Sequence, residues 1–161
     1  MVLVVPARHS ASVCAHRRLS AARRLAEESV SRGCRILFLP EVFSFLGRSQ
    51  QESLAIAEPL DGPLMSRYRD LAARNKLWLS LGGFQETGPD PQHMHNTHVV
   101  VDDQGAIRAT YRKVHLFDVD VPSGPVLMES RRVGGTRNGD VWVAVASGLL
   151  QRTGCPPPAA L

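Results

Sequence analysis

Apolar and polar positions follow two distinct patterns along the chain. Residues 17–32 place apolar side chains at helical spacing, and Gly33 ends that pattern. Residues 64–75 repeat the helical spacing, whereas residues 53–57 show it only weakly. We therefore predict two amphipathic helices with a shorter, weaker helix between them.

Continuous apolar runs predict strands that are buried on both faces. Such runs lie at residues 36–39 and 77–81, and Gly82 and Gly83 break the second one before it continues to Phe84. Residues 97–101 and 107–111 are two further predicted strands, and residues 102–105, Asp-Asp-Gln-Gly, form a hairpin turn signal between them. The order helix, strand, helix, strand and hairpin predicts a layered α/β protein. Residues 1–5 and 141–146 are weaker strand candidates.

Composition and charge narrow the class of protein. Of the 161 residues, 43% are apolar and 21% charged, which fits one globular domain. No apolar run reaches about 18 residues, so we predict no membrane-spanning helix. The net charge is +4, but residues 1–35 contribute +5, residues 36–129 contribute −4 and residues 130–161 contribute +3. This distribution argues against a nucleic-acid-binding face. Three cysteines fit a reducing compartment better than a disulfide scaffold.

The first candidate for chemistry is Glu41, which follows the apolar strand 36–39 and Pro40. A buried strand that ends in a carboxylate is a common way to place a general base at the edge of an α/β sheet. We expect partial burial to raise the pKa of such a carboxyl. The alternative is a glutamate in a polar loop, and the segment alone favours that alternative.

The second candidate is Lys113, one of only two lysines in the chain. It ends the return strand of the hairpin within residues 111–116, Tyr-Arg-Lys-Val-His-Leu. An ammonium group fixed there could stabilise an oxyanion. The alternative is a solvated basic pair at the end of a strand.

Together these segments resemble the nitrilase superfamily of carbon–nitrogen hydrolases, and within it the Nit amidases, such as deaminated-glutathione amidase and omega-amidase. The resemblance runs from about residue 17 to residue 130. Its order, spacing and flanking residues match at 37–43 (Leu-Phe-Leu-Pro-Glu-Val-Phe), 77–84 (Leu-Trp-Leu-Ser-Leu-Gly-Gly-Phe), 96–101 (Asn-Thr-His-Val-Val-Val) and 111–118 (Tyr-Arg-Lys-Val-His-Leu-Phe-Asp).

The resemblance implies an α/β fold, the N-terminal part of a four-layer α-β-β-α sandwich, and a Glu-Lys-Cys mechanism. Glu41 matches the general base, Lys113 the residue that stabilises the tetrahedral intermediate, and Glu129 a second glutamate near the lysine. The implied substrates are amides of small carboxylated molecules, including deaminated glutathione. No metal and no organic cofactor are implied.

The nucleophile departs from the family pattern, in which a cysteine follows an apolar strand in a sharp turn. Residues 141–148 resemble such a strand only superficially, and Ala146 stands where the cysteine is expected. Cys155 precedes three prolines, which cannot make the following turn into a helix. Of the remaining cysteines, Cys34 precedes the first buried strand and is expected to be a core or surface thiol, and Cys14 lies in a polar, Arg-rich segment and is expected to be inert. We therefore predict that amide hydrolysis by this chain is absent or nearly so.

We divide the chain into a divergent leader (1–16), a partial carbon–nitrogen hydrolase domain (17–130) and a divergent tail rich in Gly and Pro (131–161). On this division the chain holds about half of the sandwich, as a truncated product would. A cytoplasmic location is expected, although the Arg-rich leader also resembles a mitochondrial transit peptide. The expected partners are a small-molecule amide and either a second copy of the chain or a full-length Nit protein. We expect binding neither to nucleic acid nor to a membrane.

Two further motifs favour simple interpretations. His93, His95 and His98 have the spacing of transition-metal ligands, but no cysteine or carboxylate cluster accompanies them, so a metal-free loop is preferred. Gly82 and Gly83 lack a phosphate-loop pattern and predict a close approach of two backbones instead.

Overall fold

The structure is a computed structural model that describes residues 11–45, 47, 49–124, 126–131 and 133. The candidate strands at 1–5 and 141–146, most of the predicted tail and Cys155 lie outside these residues. Within the described part, no helix is both long and apolar enough to cross a membrane.

The described elements are α1 (Ala11–Ser31), β1 (Ile36–Leu39), α2 (Gln50–Ala55), α3 (Pro63–Asn75), β2 (Trp78–Thr87), β3 (Met94–Val101), β4 (Ile107–Arg112), β5 (Asp118–Asp120) and β6 (Val126–Met128), followed by a 3-10 turn at Glu129–Arg131. Strands β1 to β4 form one sheet in chain order, and β5 and β6 form a small hairpin. Strand β1 is parallel to β2, and the later pairs are antiparallel. The predicted α/β class is confirmed.

Helices α1 and α3 cover one face of the four-stranded sheet. Alternate strand residues pack with the apolar stripes of both helices, because side chains alternate between the faces of a strand and recur every three or four residues along a helix. The fully buried members include Ala26, Met65, Tyr68, Leu77, Leu79, Leu81, Phe84, Val99 and Val101. This cluster is the core that holds the strand ends in place.

The other face of β1 differs from our expectation that both faces are covered. Leu37 points to the helices and is buried, whereas the neighbouring Phe38 is 64% exposed. Among the described residues, a continuous apolar run therefore does not guarantee that both faces of the strand are buried.

Helices α1 and α2 begin well before their predicted starts, and α3 begins one residue early. Helix α1 starts at Ala11, inside the segment that we assigned to the leader, and Ala15 packs against the core. Alanine favours helix and no glycine or proline interrupts this stretch, so the periodic apolar stripe was too narrow a criterion. Helix α2 starts at Gln50 because the Ser49 side chain accepts a hydrogen bond from the Glu52 backbone N–H at 3.1 Å.

The close backbone approach at the glycine pair and the hairpin turn are as predicted, but the strand is not broken at the glycines. Strand β2 continues through Gly82 and Gly83 with a register shift between Leu81 and Phe84, a local irregularity that replaces the predicted break. A Cβ atom at either glycine would lie 2.7–3.1 Å from atoms of the segment that joins β1 to Glu41 and Val42, which confirms the close backbone approach. The turn at 102–105 closes with a hydrogen bond from the Gly105 N–H to the Asp102 carbonyl at 2.9 Å.

Candidate active site

The carboxyl ends of β1 and β4 bring the predicted site residues together. The Lys113 Nζ lies 2.9 Å from Glu41 Oε1 and 3.0 Å from Glu129 Oε2. Glu41 follows β1, Lys113 follows β4, and Glu129 opens the 3-10 turn after β6. Residues separated by up to 88 positions (129 − 41) thus form one ionic cluster, while their catalytic roles remain predictions.

Asn96 of β3 joins the two carboxylates and has no role in the sequence-based prediction. Its Nδ2 donates to Glu41 Oε1 at 2.7 Å and to Glu129 Oε1 at 2.8 Å. Its backbone carbonyl oxygen accepts from the Lys113 backbone N–H at 2.8 Å. The available signal was a polar residue at the start of an apolar run, which by itself is unspecific. We call Glu41, Asn96, Lys113 and Glu129 the site cluster.

Glu129 is the most buried carboxylate of the site cluster, with its side chain 10% exposed. Burial acts to raise its pKa, but hydrogen bonds from the Phe117 backbone N–H and Asn96, together with the Lys113 ammonium, hold the pKa below its usual range. The Phe117 contact is 2.7 Å long. Glu129 is therefore ionised at neutral pH and acts as a fixed negative partner for the lysine.

The pKa of Lys113 depends on the same two effects, burial and ionic contacts, but each acts on it with the opposite sign. Burial acts to lower the pKa of its ammonium, but the hydrogen bonds to Glu41 and Glu129 outweigh it and raise the pKa above the ordinary value. The side chain keeps its positive charge at neutral pH. A permanent, oriented cation of this kind can stabilise a developing oxyanion.

Glu41 is held at a tight backbone crossing rather than by burial. Its side chain is 55% exposed, so the expected partial burial is wrong. The next residue, Val42, has a φ of 53°, which is unusual for a β-branched residue. Its N–H donates to the Gly83 carbonyl at 3.2 Å, and its carbonyl accepts from Arg18 Nη1 at 2.7 Å. The exposed carboxylate remains accessible from solvent.

An open cavity of about 420 Å³ adjoins the site cluster. Besides three members of the cluster and the two glycines, its walls include His98, Tyr111 and His115. His98 Nε2 lies 3.0 Å from the Ser80 hydroxyl, and burial lowers the pKa of its imidazole, which is therefore neutral at pH 7. The cavity combines one charged end with a polar wall.

The described walls of this cavity contain no cysteine. Cys34 is exposed and lies before β1, so the four residues of that strand, about 13 Å of extended chain, separate it from the Glu41 end. Cys14 belongs to α1, and Cys155 lies outside the described residues. Substitution of Cys155 is therefore the direct test for a nucleophile.

The three histidines occupy separate surroundings. His93 Nδ1 lies 2.8 Å from the Asp90 carboxylate, and His98 contacts Ser80. His95 and His98 both belong to β3, which begins three residues earlier than predicted, and an offset of three places them on opposite faces of the strand. Among the described residues, no group of three His, Cys, Asp or Glu side chains is placed to hold a metal ion.

Known proteins are similar to this chain over most of its length. It matches the model of the carbon-nitrogen hydrolase family over residues 15–154. It is 45% identical over 109 residues to the deaminated glutathione amidase of Homo sapiens, covering 66% of this chain and 33% of that protein. The nitrilase and fragile histidine triad fusion protein NitFhit of Caenorhabditis elegans is 38% identical over 131 residues, with coverage of 76% and 30%. The chain spans about a third of the length of these relatives.

Solved structures agree with the family match. The crystal structure of the C. elegans NitFhit protein has a TM-score of 0.69 at 37% identity and covers 77% of this chain and 30% of that chain. An amidase from Nesterenkonia sp. has a TM-score of 0.59 at 23% identity, with coverage of 76% and 43%, and shows the shared fold alone. The family match extends past residue 130, so the divergence of the tail remains a prediction.

Proposed function

The chain belongs to the carbon–nitrogen hydrolase family, and from that membership we propose that Glu41, Lys113 and Glu129 are the acid–base and charge-stabilising part of an amidase site. The substrates we propose are amides of small carboxylated molecules, such as deaminated glutathione. The observation that supports this most directly is the Lys113 ammonium, which lies between two carboxylates beside the cavity.

The geometry suggests a division of labour. Glu41, the exposed carboxylate, accepts a proton from a thiol, passes it to the leaving amine and then activates water. Lys113 stabilises the negative oxygen of the tetrahedral intermediate. Glu129 and Asn96 keep the ammonium and the Glu41 carboxylate oriented. The thiol forms an acyl-enzyme with loss of the amine, and water releases the acid.

We further propose that this chain by itself hydrolyses amides at a rate close to zero. A nitrilase-type reaction needs a thiolate beside the base and the cation. The sequence offers Cys155 only before three prolines, and Cys34 lies at the far end of β1. Without a positioned thiol, the site cluster has no nucleophile to activate.

Release of 2-oxoglutarate from deaminated glutathione tests the proposal. We expect no release above the blank from the purified chain or from its Cys155→Ala variant, because the described residues place no thiol at the cluster and Cys155 precedes three prolines. The human deaminated glutathione amidase serves as the positive control. Release that is lost on the Cys155 substitution would contradict the proposal and would place a working thiol at the site.

Binding can be followed in the same samples without catalysis. Lysine-selective ¹³C labelling gives two side-chain signals, from Lys76 and Lys113. If the cluster belongs to an amide-binding site, deaminated glutathione shifts the Lys113 signal and leaves that of Lys76 in place. A Lys113 signal that does not respond at saturating amide would argue against a substrate site there.

A non-catalytic role is the second candidate, in which the chain pairs with a full-length Nit protein. Two observations favour it. Phe38 of β1 is 64% exposed, and β1 is hydrogen-bonded to β2 alone within the described sheet. An apolar strand with an open edge is a common pairing surface.

We expect Phe38→Asp to abolish co-purification of this chain with a full-length relative, because it places a carboxylate on the apolar surface of β1. The fold should remain, since the side chain is largely outside the core. Val30→Asp, at another exposed apolar position on α1, is the matched control and should leave pairing intact. Equal recovery of the partner with both variants, at a fixed ratio, would count against β1 as the surface.

A further inference from the structure

Glu86 is a buried carboxylate that the site cluster does not use. It lies in β2 and is 6% exposed. Its Oε1 accepts from Arg112 Nη2 at 2.6 Å, and its Oε2 accepts from Arg112 Nε at 2.9 Å and from the Thr97 hydroxyl at 2.6 Å. One side chain of β2 therefore holds side chains of both β3 and β4.

The partners of Glu86 are the immediate neighbours of two members of the site cluster. Thr97 follows Asn96 in β3, and Arg112 precedes Lys113 at the end of β4. Thr97 and Arg112 are directly paired across the two strands, and the Lys113 N–H bonds the Asn96 carbonyl. Because successive side chains point to opposite faces, Glu86 contacts Thr97 and Arg112 on the face of the sheet opposite to the site cluster.

The contact between Glu86 and Arg112 fixes direction as well as distance, because the carboxylate receives two hydrogen bonds from one guanidinium. Burial acts to raise the pKa of Glu86, but the bonds from Arg112 and Thr97 and the charges of Arg112 and His95 hold it below its usual range. Glu86 stays ionised, so the link across the three strands persists at neutral pH.

We propose that Glu86 is a positioning residue, which sets the spacing between Asn96 and Lys113 by clamping Thr97 and Arg112 on the opposite face of the sheet. This inference rests on the proposed function only in taking Asn96 and Lys113 as site residues. It predicts that a weaker clamp changes the contacts of Lys113 without any direct contact being removed.

The titration of Lys113 measures those contacts, and a substitution at Arg112 separates positioning from charge. Loss of the Arg112 charge alone would raise the pKa of the nearby Lys113, because like charges destabilise each other. Loss of positioning would lower it, because the hydrogen bonds to Glu41 and Glu129 that raise it would lengthen. For an Arg112 variant, the two explanations therefore predict shifts of opposite sign in the pKa of Lys113. A Glu86 variant would not separate them, because loss of its negative charge and loss of positioning would both lower that pKa.

We expect Arg112→Met to move the Lys113 titration midpoint to lower pH in the ¹³C-lysine spectrum, with the Lys76 midpoint unchanged as the internal reference. Thr97→Val, which alters no charge and keeps the volume, should move it in the same direction by less. An unchanged or raised Lys113 midpoint in Arg112→Met would overturn the proposal.

Two further samples keep the result interpretable. If Arg112→Met does not fold because Glu86 loses its counter-ion, Thr97→Val decides: a lower midpoint supports the clamp and an unchanged one refutes it. Glu41→Gln tests the site cluster itself, since it removes a direct partner of Lys113. If Glu41→Gln left the Lys113 midpoint unchanged, both the cluster geometry and the clamp would be refuted. None of these titrations depends on catalysis, so they test the clamp separately from the proposed amidase activity.

Discussion

Replacement of Lys113 with methionine should lower the free energy of unfolding at pH 7 by about 1–3 kcal/mol. The substitution keeps much of the side-chain volume but removes the only ammonium that contacts Glu41 and Glu129 among the described residues. Glu129 would then be a largely buried carboxylate without a cation, and unpaired buried charge is costly. Because Glu41 is exposed, we expect a smaller loss of unfolding free energy than for a fully buried ion pair.

The loss should depend on pH in a definite direction. In the native chain the pKa of Glu129 is depressed, so its contribution is present above the unfolded pKa and is lost as pH falls through the folded pKa. The pKa of Lys113 is raised, so its contribution is present below the unfolded pKa and is lost as pH rises through the folded pKa. Without the lysine, protonation of Glu129 removes the uncompensated charge, and the difference between variant and native chain shrinks toward pH 4.

Urea unfolding at pH 7 and pH 4 measures this difference. Lys76→Met is the matched control, since Lys76 is exposed at the end of α3 and should change stability by less than about 0.5 kcal/mol. A Lys113 variant with the same loss at both pH values would show that packing, not charge, is the cause.

The fold was predictable where local signals act alone. The bounds of β1 follow from an apolar run that ends at Pro40, and Gly33 adopts a φ of 73° just after α1, as a helix stop requires. The start of α1 was not predictable from its apolar stripe, because the periodic apolar positions begin only at Leu19, whereas Ala15, which also packs against the core, gives no distinctive signal. The exposure of Phe38 depends on what packs against the sheet, which no local pattern records.

The candidate site shows the same boundary between local and long-range information. Glu41 and Lys113 stand out because each ends an apolar strand and because their flanking residues resemble a family. Asn96 and Glu86 do not, since their importance comes from the register of β2, β3 and β4. A hydrogen bond from Asn96 to both carboxylates exists only once three strand ends have met.

The glycine at position 83 should be the least replaceable residue beside the site. Its φ is 64°, and a Cβ there would lie 2.7 Å from Glu41 Cγ and from Asn96 Oδ1. Gly83→Ala therefore combines backbone strain with a collision against two members of the site cluster. We expect a loss of about 2–4 kcal/mol in unfolding free energy, together with a lower Lys113 titration midpoint as Glu41 is displaced.

Gly33→Ala separates the two causes. Gly33 has a comparable φ of 73°, but a Cβ there would meet nothing within 4 Å among the described residues. It should lose only about 1 kcal/mol from the left-handed backbone and leave the Lys113 midpoint unchanged. If both alanine variants lose the same free energy and neither moves Lys113, backbone strain alone governs Gly83, and the close crossing of β2 with the Glu41 segment does not determine the geometry of the site.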